Sequence, residues 1–217
     1  MNASFSIINL RKIPATMYAK LALVAVAAIT SGCASVSTSV ADKSTLAGLR
    51  GQSIGFKVAE PSSFLLSTPE NNKMMGRVIV MINQGKDLVV NNGVSDPAQS
   101  IAGGIAQRLA AAYGSKTVAT GQPANLSIDV KTTNWGIFFS GDDNDVYGLV
   151  YTATFELVDV QKGRVVASGY CKPSNKGEIL KASRDQMMAN SAAGLKRALS
   201  GEAERCVKYI SEQILSM

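Results

Sequence analysis

Tyr147-Gly148-Leu149-Val150-Tyr151-Thr152-Ala153-Thr154-Phe155-Glu156-Leu157 decides how this chain folds. The odd positions Tyr147, Leu149, Tyr151, Ala153, Phe155 and Leu157 are apolar, while Thr152, Thr154 and Glu156 alternate with them. Successive side chains of a strand point to opposite faces, so this stretch predicts a long strand with one buried and one wetter face. Lys162-Gly163 then reads as a turn. Residues 165–170 return antiparallel to the first strand, and Cys171 closes the return.

The same period extends upstream. Leu126, Ile128 and Val130 alternate with Ser127, Asp129 and Lys131, which predicts another strand. Weaker strand patterns lie at 53–59, around Ile54, Phe56 and Val58, and at 77–82. A short strand at 87–90 is also expected, and Pro61 and Pro69 punctuate the stretch around Phe64-Leu65-Leu66.

Two segments switch to helical spacing. Asp96-Pro97-Ala98-Gln99 has a capping acid, a proline where the first helical N–H is dispensable, and a glutamine three positions on. Ile101, Ile105, Leu109 and Ala112 follow on one face, and Gly114 is placed to end the helix. Gly103 and Gly104 inside it each cost about 1 kcal/mol against alanine, which points to close packing on a sheet. Met188, Ala192, Leu195, Leu199, Ala203, Cys206, Ile210 and Ile214 repeat at three or four residues and predict a C-terminal helix, with Ser200-Gly201 as a potential break. The expected fold is therefore α+β: a mainly antiparallel sheet with helices packed on one face.

The N-terminus reads differently. Residues 1–32 hold Arg11, Lys12 and Lys20 and no acid, then an unbroken apolar run at 21–29, then the small residues Ser31 and Gly32. That order is a secretory signal, and its apolar run is too short to span a bilayer. Residues 34–50 are rich in Ser, Thr, Ala and Gly and read as a flexible tether. The expected organisation is a signal peptide at 1–32, a modified N-terminus and tether at 33–50, and one folded domain at 51–217.

The full chain carries 22 basic and 16 acidic residues, a net charge of +6. Residues 1–32 hold three of those bases, so their removal leaves a mildly basic chain. Without an aromatic and basic stripe, nucleic-acid binding has no support. The hydrophobic fraction of 46% argues against global disorder.

Of three cysteines, Cys33 stands at the cleavage point. Cys171 and Cys206 remain as an even pair, which in an oxidising compartment predicts a disulfide fastening the C-terminal helix to the strand that ends at Cys171. The chain-entropy description assigns such a closure roughly 3–4 kcal/mol.

The chain has no histidine. Ser-His-Asp and Cys-His catalysis and histidine-ligated zinc are therefore excluded, no cofactor is implied, and the chain reads as no enzyme. Asp142, Asp143 and Asp145 lie in a loop with oxygen donors suited to calcium. Counting an EF-hand from Asp143 puts Gly148 at the sixth position, but Tyr147 falls on a ligand position and Thr154 on the twelfth. A solvated turn explains the loop as well, so a calcium or small-ligand protein, or a hydrolase using residues 142–145, is the alternative reading. Trp135, Phe138 and Phe139 form either an exposed aromatic patch for a partner or, more simply, the buried continuation of the strand from Leu126.

Thr30-Ser31-Gly32-Cys33 resembles the lipobox of bacterial lipoproteins, with Thr30 where leucine is usual. The resemblance implies cleavage before Cys33, acylation of that cysteine by chains such as palmitate, and a stable membrane anchor, since two or more acyl chains hold where one does not. Ala34, a residue other than Asp, resembles the outer-membrane sorting pattern, with the body facing the periplasm. Thr132-Thr133-Asn134-Trp135, Gly169-Tyr170-Cys171, Leu195-Lys196 and Cys206 resemble a group of uncharacterised proteobacterial outer-membrane lipoproteins. The order of strands and helices is also similar to small periplasmic lipoprotein domains that assist envelope assembly, as fold-level analogy. These resemblances imply a non-enzymatic envelope lipoprotein with a protein or peptidoglycan partner.

Overall fold

The computed structural model describes residues 39–40, 46–48, 50–67, 85–139, 146–171 and 182–215, all within the unit Thr38–Met217. Cys33, the signal region, the 77–82 strand expectation and the loop of Asp142, Asp143 and Asp145 lie outside the described residues. Among the described residues, no helix is long and apolar enough to cross a membrane.

The quoted stretch lies in a strand of 14 residues, β6 (Val146–Asp159). It pairs antiparallel with the equally long β5 (Leu126–Phe139) and with β7 (Arg164–Cys171). Every odd residue of β6 from Tyr147 to Asp159 is buried except Leu149, which is half-buried, so the alternation does face a core.

β5 keeps the same face with a correction halfway. Leu126, Ile128, Val130 and Thr132 are buried at even positions, whereas Trp135 and Ile137 are buried at odd ones. The phase changes at an irregularity in the ladder between Thr132 and Asn134. One extra residue, Thr133, resets the alternation and keeps the apolar side chains inward, as a β-bulge does.

The flanks of the β5–β6 pair are each built in two pieces. Beside β5 run β2 (Ser53–Val58) and, past the bulge, β3 (Leu65–Leu66), both parallel to it. Beside β6 run β7 and then β8 (Ala182–Ser183), both antiparallel. The edges are the two-residue strands β1 (Ser39–Val40), antiparallel on β7, and β4 (Lys116–Thr117), parallel on β2. The sheet is thus mixed. Its antiparallel part matches the expectation, and the β2 side is parallel because a helical crossover separates β2 from β5.

Two helices cover the apolar face. α2 (Ala98–Tyr113) follows α1 (Lys86–Asn92) and buries Ile101, Ile105 and Leu109 completely. α3 (Arg184–Leu215) buries Leu195, Leu199, Cys206, Ile210 and Ile214. Both contact the sheet and each other. Cys206 is bonded to Cys171 with their Cα atoms 5.6 Å apart, so the disulfide fastens α3 to the end of β7.

Local signals explain the helix ends. At α2 the cap falls one residue later than the sequence suggests, on Pro97, with no side-chain cap bond; Asp96 instead accepts from the Ala98 N–H at 2.9 Å, and Gly114 ends α2 at φ +64°. α3 starts on a reciprocal cap that the sequence reading overlooked. Gln186 N–H donates to Ser183 Oγ at 3.2 Å, and Ser183 N–H donates to Gln186 Oε1 at 3.0 Å.

Other expectations need correcting. Residues 87–90 are helical, not a strand, and Gly93 ends α1 in the left-handed conformation at φ +58°. A short apolar run such as Leu88-Val89-Val90 does not by itself tell strand from helix. α3 runs unbroken through Ser200-Gly201 and kinks instead at residues 189–192, where Asn190, Ser191 and Ala192 all have positive φ. The folded body also reaches into the expected tether: residues Ser39–Val40 pair with β7, and Leu46 is buried.

Candidate functional site

Trp135 is only 3% exposed. Its ring N–H donates to the Ser62 carbonyl at 2.6 Å and its ring meets Phe64 edge-on at 4.9 Å. Phe139 lies on the same face of β5, partly buried against the core and angled to Tyr147 at 5.5 Å. Phe138 points to the opposite face, where it covers Gly148. Strand alternation therefore splits the three aromatics between two faces, and they do not form one exposed partner patch.

A polar cluster lies in the core among the described residues. Thr132 Oγ1 donates to Asp96 Oδ1 at 2.8 Å and lies 3.0 Å from the Tyr151 hydroxyl, which also reaches Asp96 Oδ1 at 3.4 Å. It joins the start of α2 to the bulge of β5 and the middle of β6. Burial pushes the Tyr151 hydroxyl pKa well above its ordinary value; the Thr132 hydrogen bond opposes that shift and the nearby Asp96 carboxylate adds to it. The second Asp96 oxygen is buried without a hydrogen-bond partner among the described residues. This cluster is inside the fold, so its evident task is to hold α2 against the sheet.

Clefts lined by described residues open on the surface, and two of them bear on function. The first, about 470 Å³, lies between α1 and the start of α3 and is lined by Leu66, Asp87, Leu88, Asn91, Asn92, Arg184, Asp185 and Met188. It mixes two acids with one guanidinium.

The second, about 590 Å³, is a groove along β2. It is lined by residues 55–58, residues 119–124, Ser127 and Val160. After β4, residues 118–125 pass behind β2 to reach β5, and they cross it at Gly55. A Cβ on Gly55 would stand 3.0 Å from the Ala124 Cβ, so the crossing needs a glycine or a local shift there. Asn125 holds the crossing in place: its side-chain carbonyl accepts from Ser53 N–H at 3.1 Å and from Ser53 Oγ at 2.7 Å. Val58 and Val160, 37% and 47% exposed, give the groove an apolar rim.

Lys57 is the only charged residue lining the groove. Its cross-strand neighbour Asp129 accepts from the Ser127 hydroxyl. The groove therefore offers apolar surface, one cation and strand backbone, which suits recognition. The sequence reading missed it, because Lys57 is an ordinary strand residue until the crossing loop builds a wall beside it.

No family model matches this chain and no curated protein matches it. Distant solved structures are similar to it. A Xanthomonas campestris protein of the DUF330 family model is 14% identical over 83% of this chain and 96% of its own, with a TM-score of 0.42. The PelC dodecamer from Paraburkholderia phytofirmans is 15% identical over 81% and 92%, with a TM-score of 0.36. A neuraminyllactose-binding hemagglutinin homolog from Helicobacter pylori is 10% identical over 76% and 86%, with a TM-score of 0.37. At these values the likeness says nothing about the chemistry of the groove.

Proposed function

We propose that this chain is an exported lipoprotein, cut before Cys33, acylated there and held on the periplasmic face of the outer membrane. Its folded body works by binding an envelope protein or the cell wall, without catalysis. The observation that supports this best is the Cys171–Cys206 disulfide at the heart of the fold. Structural disulfides persist in oxidising compartments and are rare in the cytosol, so the bond fits export, as does the signal pattern before Cys33. Acyl chains on Cys33 then supply the anchor. The binding part of the reading draws on the groove along β2.

Feeding cells an alkyne-tagged palmitate tests the anchor. Wild type is expected to take up label and to fractionate with outer membranes. Cys33→Ser is expected to lose the label and retain residues 1–32 by mass. Label incorporated equally by Cys33→Ser would overturn the assignment of that cysteine.

A further inference from the structure

The open edge of β2 has a shape that few ligands match. On its inner side β2 pairs with β5 from Ile54 to Val58, and on its outer side with β4 only at Ser53 and Ile54. The last outer bond runs from Val118 N–H to the Ile54 carbonyl at 3.0 Å. Both backbone groups of a strand residue point to the same side, and the side alternates along the chain. The Ser53 carbonyl and Ala59 N–H face β5, bonding Asn125 and Val130. The N–H and C=O groups of Phe56 and Val58 therefore face outward with Ile54, and no strand among the described residues pairs with them.

Among the described residues this edge is open because the 118–125 crossing turns behind β2 at Gly55 instead of continuing alongside. That crossing also walls the groove next to the open edge.

We infer that Phe56–Val58 accepts an extended peptide segment of a partner protein as an added strand, with an acidic side chain of that segment on Lys57. This deepens the partner-binding reading above and rests on it. Strand addition draws affinity from main-chain bonds and selectivity from the sites its alternate side chains enter. Two donors and two acceptors in a row, spaced as a strand spaces them, match another backbone; an acyl chain would leave them unpaired, and sugar hydroxyls do not repeat at strand spacing. Val58, Val160 and Pro123 supply apolar contact for the inserted side chains. Lys57 has no ion pair among the described residues; its in-register neighbour Asp129 takes the Ser127 hydroxyl and does not line the groove, so the charge that the groove presents is the Lys57 ammonium and its complement is negative. Edge strands are commonly blunted by a lysine or by shortness; here the lysine stands beside a groove, which a purely defensive edge does not require.

The test uses the full mature protein in detergent micelles. The probes are a fluorescent seven-residue peptide of alternating Thr and Val with a central Glu, and the same peptide with central Lys. The Glu peptide is expected to bind at least tenfold more tightly at low salt and to slow hydrogen exchange at 56–58. Val58→Pro removes an outward N–H that makes no backbone bond among the described residues, a change tolerated on edge strands. It is expected to weaken binding at least tenfold while moving Tm by only a few degrees. Lys57→Glu should reverse the preference between the two peptides.

Unchanged binding by Val58→Pro, or no slowed exchange at millimolar peptide, would overturn the inference. So would protection of the same amides by self-association without peptide, which would give the edge to a second copy. Photocrosslinkers at Thr120 and Tyr209 in living cells separate the two readings. A specific partner captured from exposed Tyr209 on α3 but never from Thr120 sinks the edge and spares the binding function; none from either position sinks both.

Discussion

The hydroxyl of Thr132 donates to Asp96 Oδ1 at 2.8 Å, so the carboxylate that accepts the Ala98 N–H at the start of α2 is also tied to the bulge of β5. One carboxylate thereby sets both the start of a helix and its place on the sheet. Losing the bond to the Ala98 N–H costs about 1 kcal/mol, and a buried donor left without its acceptor costs about 1–3 kcal/mol. Asp96→Ala is therefore expected to lose about 2–4 kcal/mol in urea unfolding. Asp96→Asn retains an acceptor oxygen and should lose about 1 kcal/mol or less. Equal losses from both variants would show that the shared acceptor is not what matters.

Tyr151 predicts an alkaline limb to stability. Burial raises its folded pKa above the unfolded value, with Thr132 opposing and Asp96 reinforcing the shift. The unfolded chain ionises first as pH rises. The stabilising contribution is thus complete below about pH 10 and is lost above it as pH climbs toward the folded value. Tyr151→Phe should flatten this limb relative to wild type. Tyr113 leaves a residual slope, since burial raises it too, against the effect of Arg50. Parallel alkaline limbs in wild type and variant would contradict the assignment.

The disulfide makes a prediction on a larger scale. It closes a loop between residues 35 apart in sequence, for which the chain-entropy description gives roughly 3–4 kcal/mol. The pair Cys171→Ala and Cys206→Ala should lower unfolding stability by about that amount. A reductant should lower wild-type Tm and leave the double variant unmoved. A Tm insensitive to reductant in wild type would mean that the thiols are free in the mature protein.

What was legible in the sequence followed from burial on one side. β6 could be read because its odd residues face the core and its even ones do not. The disulfide could be read from cysteine parity and from the helical phase of Cys206. The phase change from Val130 to Trp135 carried the bulge, had the two alternations been compared. Other features had no such signature. Leu88-Val89-Val90 is too short for either period to declare itself. The parallel pairing of β2 with β5 is set by the crossover between them, not by a pattern within either strand. The groove depends on backbone groups left over at an edge and on a loop crossing at Gly55, and neither depends on residue types that chemistry marks out.

Packing between α2 and α3 gives the last prediction. Gly104 of α2 faces Val207 of α3: a Cβ added at Gly104 would stand 2.7 Å from Val207 Cγ2 and 3.0 Å from Cγ1. The glycine is therefore a contact between two helices and not, as expected, one with the sheet, which Gly103 makes through Phe56. Two effects compete in Gly104→Ala. Helix propensity favours alanine by about 1 kcal/mol, while overpacking costs typically 1–3 kcal/mol. Val207 is branched at Cβ and has little rotameric freedom to withdraw, so the clash should win and the single variant should lose up to about 2 kcal/mol. In a Val207→Ala background both methyls are gone and only the propensity gain remains. Gly104→Ala should then stabilise by about 1 kcal/mol. A double-mutant cycle in urea should accordingly show a coupling of at least about 1 kcal/mol. Additivity of the two substitutions would mean that the helices separate enough to admit the methyl group, and that this close approach does not set their crossing.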